Sequence, residues 1–295
     1  MRRWRHRLTR SRISIGTSTG TSTSTSANSS TRASKTTGTR LGKGMSLSMT
    51  AADRASSTAG SAVAVAAPVD ATLSIAALLQ LQNWMSPAFP IGAYTCSHGL
   101  ESAIADGVVT DASTLGAWLR DIFERGSAWN DAVILNETHA AVVGGRHDRL
   151  LELASLALAL SAGDERYRES LLLGASFRRA AAAWIDERDP LAPFPDGCPL
   201  PVAVGALAAT SVLPVVPVLA CSLQSTVANL AWIATRLVPL GQSDTLALLA
   251  VLEPMLATLA DRAAASTLDD LGGCAVLADI ASLRHEHLDS RVCRT

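Results

Sequence analysis

Helix-forming residues dominate residues 71–295 of this 295-residue chain. Alanine and leucine recur there at three- and four-residue spacing, which is the period of a helix face packed against a core. Alternating β-branched residues are rare and aromatic residues make up only 4% of the chain, so strand signals are nearly absent. The sequence therefore predicts an all-α fold: residues 71–295 form one helical-bundle-like domain of about nine or ten helices.

Helix boundaries follow from capping residues. Asp111 is the predicted N-cap of one helix, and Asn130 or Asp131 is the predicted N-cap of the next. A further helix is expected from residue 164 to about residue 186, because an acidic pair at its start favours a helix N-terminus. Four arginines are expected on its polar faces: Arg166, Arg168, Arg178 and Arg179.

The first 70 residues differ in composition from the rest of the chain. Residues 1–52 hold ten basic residues and no acidic one, whereas residues 53–295 carry a net charge of −11. Serine, threonine and glycine leave this segment too little apolar surface to offset the cost of ordering its backbone. We expect residues 1–70 to be a disordered leader. Three origins stay open: a misassigned start, with Met45 or Met49 as the true first residue, a basic arm, or a targeting segment.

A long uncharged stretch allows two interpretations. Residues 197–235 contain no charged side chain, and the first half is apolar enough to pass for a membrane span. Four prolines at positions 199, 201, 214 and 217 cut this first half into helical pieces of at most about a dozen residues, where a span needs about 20, and helices are expected from about 202 to 211 and from about 216 to 238. The second half carries polar side chains that would be costly against lipid. A buried helix pair or an oligomer interface is favoured, and a membrane-associated helical protein is the alternative.

One run of prolines and glycines interrupts the helical pattern. Within residues 86–101, Pro87 and Pro90 fix the backbone φ angle while Gly92 and Gly99 free it, so no long helix can pass through. Polar side chains lie among the apolar ones, namely Ser86, Tyr94, Ser97, His98 and Glu101. We expect a shaped loop that is presented to a partner. The run alone does not identify that partner.

The run at residues 86–101 closely resembles the N-terminal signature of the urease accessory protein UreF family. Further segments resemble motifs of that family and follow in the family's order. They are Asp131 in Trp-Asn-Asp-Ala-Val, the arginine-rich segment 164–184, the Leu-Val-Pro-Leu-Gly-Gln of residues 237–242, and the tail motifs Arg284-His285-Glu286 and Ser290-Arg291. Because the motifs spread over most of residues 71–295, chance is a poor explanation for them.

The resemblance implies a non-catalytic protein of urease maturation. It implies a dimeric, all-helical, cytoplasmic scaffold that bridges a UreD/UreH-type protein and the GTPase UreG. It also implies that the chain helps nickel insertion into apo-urease, with nickel in transit and no cofactor bound stably. Nucleic acid is not an expected partner, because the body of the chain is acidic and lacks a basic stripe. A membrane is not expected either, because of the prolines and polar side chains within residues 197–235.

Partner-binding or channel-lining residues are carried over from the family motifs, position by position. They are Ser86, Pro87, Pro90, Gly92, Tyr94, Ser97, Gly99, Glu101, Asp131, Arg236, Gln242, Arg284, His285, Glu286, Ser290 and Arg291. Glu101 is either a helix cap or a polar contact, and the same choice applies to Asp131. We expect residues 86–99 and 284–295 to order or pack against partners.

Four positions depart from the family pattern. Val133 stands where the family has proline, and Arg236 stands where lysine is common. A planar guanidinium cannot be assumed to replace an ammonium in a tight site. Val292 and Cys293 replace the family's Leu-Phe, so the apolar anchor at the end of the tail is smaller. This weakens the expectation that the last residues bind a partner.

A metal-binding enzyme is the second alternative. His285 and His287, with Glu286 and Asp289 nearby, are weak candidates for a metal site, because residues two apart lie on different sides of a helix. No HExxH motif, Gly-x-Ser-x-Gly nucleophile elbow or phosphate-binding loop occurs in residues 71–295. Five widely spaced cysteines without a Cys-x-x-Cys pair fit a reducing cytosol. The sequence gives no positive indication of an enzyme or of a resident metal.

Overall fold

A computed structural model of the chain describes residues 73–185, 189–194 and 197–295. Within these ranges the chain forms ten α-helices and no strand, which confirms the all-α prediction. The helices are α1 (Ile75–Trp84), α2 (Leu100–Ala105), α3 (Ala112–Arg125), α4 (Ser127–Val143), α5 (Arg149–Ala159), α6 (Asp164–Ala181), α7 (Leu200–Thr210), α8 (Val215–Ala234), α9 (Gln242–Ala264) and α10 (Val276–His285). The predicted leader, residues 1–70, lies outside the described residues.

Helices α4 and α7 form the centre of the bundle. Every residue of α7 from Pro201 to Ala208 is buried, and most of α4 is buried as well. Small side chains let the two helices approach closely: a Cβ added to Gly205 of α7 would lie 2.6 Å from the Leu135 carbonyl oxygen of α4. Such close contact excludes water from both backbones. Because α7 is buried on all sides over these residues, its side chains there are apolar.

The remaining helices surround this centre and bring the two ends of the domain together. Helix α8 packs on α9, α6 packs on α7, and α3 and α5 pack on α4. Helix α10 packs on α2 and α6, although about 180 residues separate α10 from α2 in the sequence. The chain that follows α10 therefore begins beside the loop that precedes α2.

The uncharged stretch forms two helices, α7 and α8, close to the predicted helices from about 202 to 211 and from about 216 to 238. Helix α8 runs for 20 residues, because Pro217 falls in its first turn, where a missing N–H costs little. The limit of about a dozen residues concerns the apolar first half of the stretch, where α7 spans 11 residues. By length and composition, α8 and α9 could each cross a membrane, which is weak grounds for a span. The inward face of α8, including Val218, Leu223 and Val227, packs in the core.

One predicted N-cap is confirmed and another is wrong. Asp111 caps α3, and its carboxylate accepts a hydrogen bond from the Thr114 N–H at 2.9 Å. Helix α4, however, begins at Ser127, so Asn130 and Asp131 lie inside it. The reason is Gly126, whose extended backbone ends α3 and starts α4 without a side-chain cap. Asn130 instead reaches across the bundle and donates to the Gly273 carbonyl oxygen at 2.9 Å.

Candidate functional site

The loop of residues 86–99, called here the signature loop, has a tightly specified backbone. Gly92 has a φ of 84° and Gly99 a φ of 78°, values that side chains other than glycine rarely adopt. At Gly99 there is also no room for a side chain, because an added Cβ would lie 2.5 Å from the backbone nitrogen of Ser282 in α10. His98, with a φ of 53°, shares this left-handed conformation. The conformation of residues 98–99 allows the loop to lie directly against α10.

The C-terminal segment of residues 286–295, called here the tail, pairs with the signature loop. The Arg294 N–H donates to the Thr95 carbonyl oxygen at 2.6 Å, and the Ser97 N–H donates to the Thr295 carbonyl oxygen at 2.5 Å. Loop and tail were both expected to order against partners. They pack against each other within one chain, and each covers backbone groups of the other.

Glu101, just after the loop, holds the tail through its carboxylate. The side chain is 6% exposed and accepts hydrogen bonds from the backbone N–H groups of Val292 at 2.6 Å and Cys293 at 2.8 Å. Burial favours a raised pKa for this carboxyl, but these two bonds and one from His285 outweigh it, so the pKa of Glu101 is lowered. Glu101 is therefore a polar contact to the tail, and its side chain does not cap α2. Since the tail is held by its backbone, the small side chains of Val292 and Cys293 do not weaken this anchor.

His285 connects α10 to the same anchor. Its side chain is completely buried, with Nδ1 2.7 Å from a Glu165 carboxylate oxygen and Nε2 3.2 Å from a Glu101 carboxylate oxygen. Arg291 in the tail donates to the other oxygen of Glu165 at 2.6 Å. Two carboxylates, one imidazole and one guanidinium therefore fasten α2, α6, α10 and the tail to one another.

Glu169 in α6 forms a second anchor. Its carboxylate accepts hydrogen bonds from Arg166 and from the Thr295 hydroxyl, and it lies 2.9 Å from His98 Nε2. Burial opposes ionisation, but the charges of Arg166 and His98 hold the pKa of Glu169 well below its usual range. One buried ion therefore joins the signature loop, α6 and the last residue described.

A small polar cavity lies behind this anchor. It has a volume of about 30 Å³, enough for one or two waters, and its walls include His98, Asp131, Arg166 and Asp279. Asp131 is half-buried, and burial raises its pKa although the charges of Arg166 and His98 act in the opposite direction. Burial likewise raises the pKa of Asp279. Asp131 lies inside α4 and lines this cavity, so the N-cap interpretation is wrong.

The other side of the signature loop is fastened to α8. The Asn229 amide donates to the carbonyl oxygens of Ala93 at 2.8 Å and Cys96 at 3.3 Å. Arg236, two residues beyond α8, donates to the Tyr94 carbonyl oxygen at 3.0 Å. The Tyr94 side chain remains 63% exposed beside this contact. The loop is therefore fixed on both sides while its tip is open to solvent.

The structure gathers part of the predicted residue set. Ser97, Gly99, Glu101, His285 and Arg291 meet where loop, α10 and tail join. Ser86, Pro87 and Tyr94 lie along the outer part of the loop, as do Pro90 and Gly92.

Four predicted residues stand apart from this junction. Gln242 is exposed at the start of α9, and Glu286 and Ser290 are exposed in the tail. Arg284 forms a surface ion pair with Asp106 at 3.0 Å. Pairs of this kind contribute about 1 kcal/mol or less.

Five residues of the site are missed by sequence reasoning. They are Glu165, Arg166, Glu169, Asn229 and Thr295. Arg166 was expected on a polar face of α6 but is 8% exposed, because α10 and the tail cover that face of the helix. The only signal was the acid–base–acid spacing of residues 165, 166 and 169, which is equally typical of a solvated helix face. Arg168, on the same helix, does lie in solvent.

The two candidate metal-binding histidines are not brought together. His285 has both ring nitrogens against carboxylates, whereas His287 is exposed. No group of three or more His, Cys, Asp or Glu side chains is arranged to hold a metal among the residues that the structure describes. The contacts at the junction of loop and tail hold segments of the same chain together.

Thiol labelling tests the burial of the tail. All five cysteines are free, and burial raises the pKa of Cys96 and Cys198 to about 12 and that of Cys293 to about 11. Cys221 is half-buried with a raised pKa, and Cys274 is exposed. Because the thiolate is the reactive form, we expect one thiol, Cys274, to react fast with a disulfide reagent at pH 8. Fast reaction of Cys293 in the native protein would contradict a docked tail.

Comparison with known proteins agrees with the motifs found in the sequence. The family model described as UreF matches residues 109–253. The urease accessory protein UreF of Rhizobium leguminosarum bv. viciae is 48% identical over 222 residues, which is 74% of this chain and 96% of the relative. That of Agrobacterium fabrum is 44% identical over 227 residues, which is 77% of this chain and 100% of the relative. With this identity over nearly the whole length of its relatives, the chain belongs to the UreF family of urease accessory proteins.

Proposed function

We propose that this chain is a non-catalytic scaffold of urease maturation, which bridges a UreD/UreH-type protein and the GTPase UreG and helps nickel insertion into apo-urease. The observation that carries the proposal is the junction of signature loop and tail. The ionisable groups at this junction already have partners within the chain. Glu101 and Glu169 each make three polar contacts, and each ring nitrogen of His285 lies against a carboxylate. Such groups are suited to fixing a surface for recognition and have little freedom to act on a substrate.

An exposed apolar face beside this junction supports partner binding. Helix α10 presents Val276, Leu277, Ile280 and Leu283 to solvent, with exposures of 58%, 64%, 40% and 48%. These positions recur at the spacing of one helix face, which is called here the α10 face. Contiguous exposed apolar residues of this kind are typical of protein–protein interfaces. We assign the UreD/UreH-type partner to the α10 face and the adjoining tail.

A bridging scaffold needs a second surface, and the tip of the signature loop provides one. Tyr94 is 63% exposed and adjoins Arg236, whose guanidinium is bonded to the loop. Exposed tyrosine and arginine are the residue types most often found at the energetic centre of interfaces. We assign UreG to this tip. The proposed scaffold is a homodimer and acts in the cytoplasm. Sedimentation analysis of the purified chain tests the dimer, for which it should give twice the mass of one chain.

In this proposal nickel is a cargo ion that passes the chain and is not retained by it. The net charge of −11 over residues 53–295 attracts cations toward the body of the protein. The polar cavity is lined by Asp131 and Asp279, and neither carboxylate forms an ion pair with another residue that the structure describes. Exchanging nickel during transit requires weak contacts, so we expect no stoichiometric nickel binding by the isolated chain.

A charge placed on the α10 face tests the proposal. Leu277→Asp changes an exposed side chain, so the fold should persist, while partner co-purification and urease activation should fall at least about tenfold, which corresponds to 1.4 kcal/mol. Val143→Asp is the matched control, because Val143 is 69% exposed at the far end of α4. Normal urease activation by Leu277→Asp in cells that lack the natural chain would overturn the assignment of the α10 face.

A further inference from the structure

Helix α10 has little apolar packing of its own to fix its position. It is 10 residues long, and an isolated helix of that length is marginal in water. Its N-cap residue is Ala275, whose side chain cannot accept a hydrogen bond. Its buried face consists of small or polar side chains, namely Ala278, Ala281, Ser282 and His285. Such side chains bury little apolar surface, so the position of α10 depends on what fastens its two ends. His285 and the tail fasten the C-terminal end.

Asn130 of α4 fastens the chain directly before α10. Its amide nitrogen donates to the Gly273 carbonyl oxygen at 2.9 Å, and its amide oxygen accepts from the Gly272 N–H at 3.3 Å. Both partners lie within four residues of Val276, where α10 begins. Asn130 is 6% exposed, so water competes little for these hydrogen bonds.

The segment that Asn130 holds also fits closely against the end of α3. A Cβ added to Gly273 would collide with the Arg125 carbonyl oxygen, and one added to Gly126 would lie 2.9 Å from the Cβ of Ala275. Backbones that approach this closely leave the segment little freedom to shift. Asn130 and the end of α3 together therefore fix where α10 begins.

The first residues of α10 belong to the α10 face. Val276 and Leu277 are 58% and 64% exposed. A helix turns by about 100° for each residue, so a shift of one residue in its start would turn these side chains away from a docked partner. A surface that is already in position before binding also avoids the cost of ordering it during binding. The contacts that fix the start of α10 therefore bear on how well the α10 face binds.

We propose that Asn130 is a positioning residue for the α10 face, which sets where α10 begins and so holds Val276 and Leu277 in place for the partner. This inference rests on the proposed function, because it takes the α10 face as a binding surface. Since Asn130 is buried, it acts through α10 and does not contact the partner itself.

Asn130→Ala tests the assignment, with Asn136→Ala as the matched control. Asn136 is 7% exposed in the same helix, and its amide donates to the Ser266 carbonyl oxygen at 3.2 Å, at the α9 end of the same connection. Each variant loses one buried amide, so both should lose stability to a similar extent. Only Asn130→Ala should also speed amide hydrogen exchange of residues 276–285 in the full chain, by at least about tenfold.

Partner binding provides the second readout. Asn130→Ala should weaken binding of the UreD/UreH-type protein at least about tenfold, whereas Asn136→Ala should change it by less than about twofold. Should Asn130→Ala not fold, Asn130→Asp replaces it. This variant keeps the size of the side chain and an acceptor for the Gly272 N–H, but an ionised carboxylate cannot donate to the Gly273 carbonyl oxygen. It should give the same pattern.

Two outcomes would overturn the positioning role: equal exchange of α10 in the Asn130 and Asn136 variants, or normal partner binding by the Asn130 variant. Leu277→Asp separates such a failure from a failure of the proposed function. Normal binding by Leu277→Asp would remove the α10 face as the binding surface. Lost binding by Leu277→Asp together with normal binding by the Asn130 variant would contradict only the positioning role of Asn130.

Discussion

Gly99→Ala is expected to destabilise the protein by about 3 kcal/mol or more, because two costs add at this position. The backbone φ of 78° penalises any side chain by about 1–2 kcal/mol. In addition, the new methyl group would lie 2.5 Å from the Ser282 nitrogen and 2.9 Å from the Ala278 carbonyl oxygen, so α10 would have to move. Urea unfolding followed by circular dichroism measures the loss. Movement of α10 should also weaken partner co-purification.

Gly92→Ala separates the two costs. Gly92 has a similar φ of 84°, but no atom lies within 4 Å of the position of its added Cβ. This variant should therefore lose only the conformational part, about 1–2 kcal/mol. Equal destabilisation by the two variants would mean that the signature loop does not lie against α10 as described.

Glu169→Gln is expected to cost about 3 kcal/mol and to loosen the tail. The substitution keeps the size of the side chain but leaves the buried Arg166 guanidinium without its closest carboxylate. It also weakens the contacts to His98 and to the Thr295 hydroxyl. Denaturant unfolding measures the loss of stability, and faster labelling of the Cys293 thiol measures release of the tail. Unchanged stability together with a protected Cys293 would contradict the role of Glu169.

Glu152→Gln is the matched control, since Glu152 also pairs with an arginine three residues away. Its partner Arg149 lies 3.7 Å off and the Glu152 side chain is 65% exposed, so the loss should be below about 0.5 kcal/mol. The stabilisation from Glu169 should also depend on pH. Its pKa is lowered in the folded chain, so the contribution is complete above the unfolded value of about 4.3 and is lost as the pH falls below it. Glu169→Gln should flatten that part of the profile, and Glu152→Gln should not.

Periodicity and capping predicted most helices to within a few residues, because local signals specify them. Asp111 and its partner Thr114 form a capping box that can be recognised in the sequence. The start of α4 could not be placed, because Gly126 leaves no side-chain signal and Asn130 resembles a cap while serving a distant contact. Pro217 is compatible with the start of α8, because the first turn of a helix tolerates proline.

Only the part of the site that lies in a recognisable sequence run could be predicted. Gly99 and Glu101 stand in a recognisable run, so the sequence pointed to them. Glu165 and Glu169 do not, since their partners in the tail, Arg291 and Thr295, lie more than 100 residues away and the sequence around both glutamates is typical of a solvated helix. That loop and tail pack against each other follows from the position of α10 on α2 and α6, which no local pattern contains.

Size-exclusion chromatography with light scattering on a mixture of this chain, a UreD/UreH-type protein and UreG tests the scaffold proposal most directly. The account predicts one species that contains all three proteins, and loss of the UreD/UreH-type protein from it when this chain carries Leu277→Asp. Separate elution of the three proteins, or an assembly that forms equally well without this chain, would contradict a bridging role.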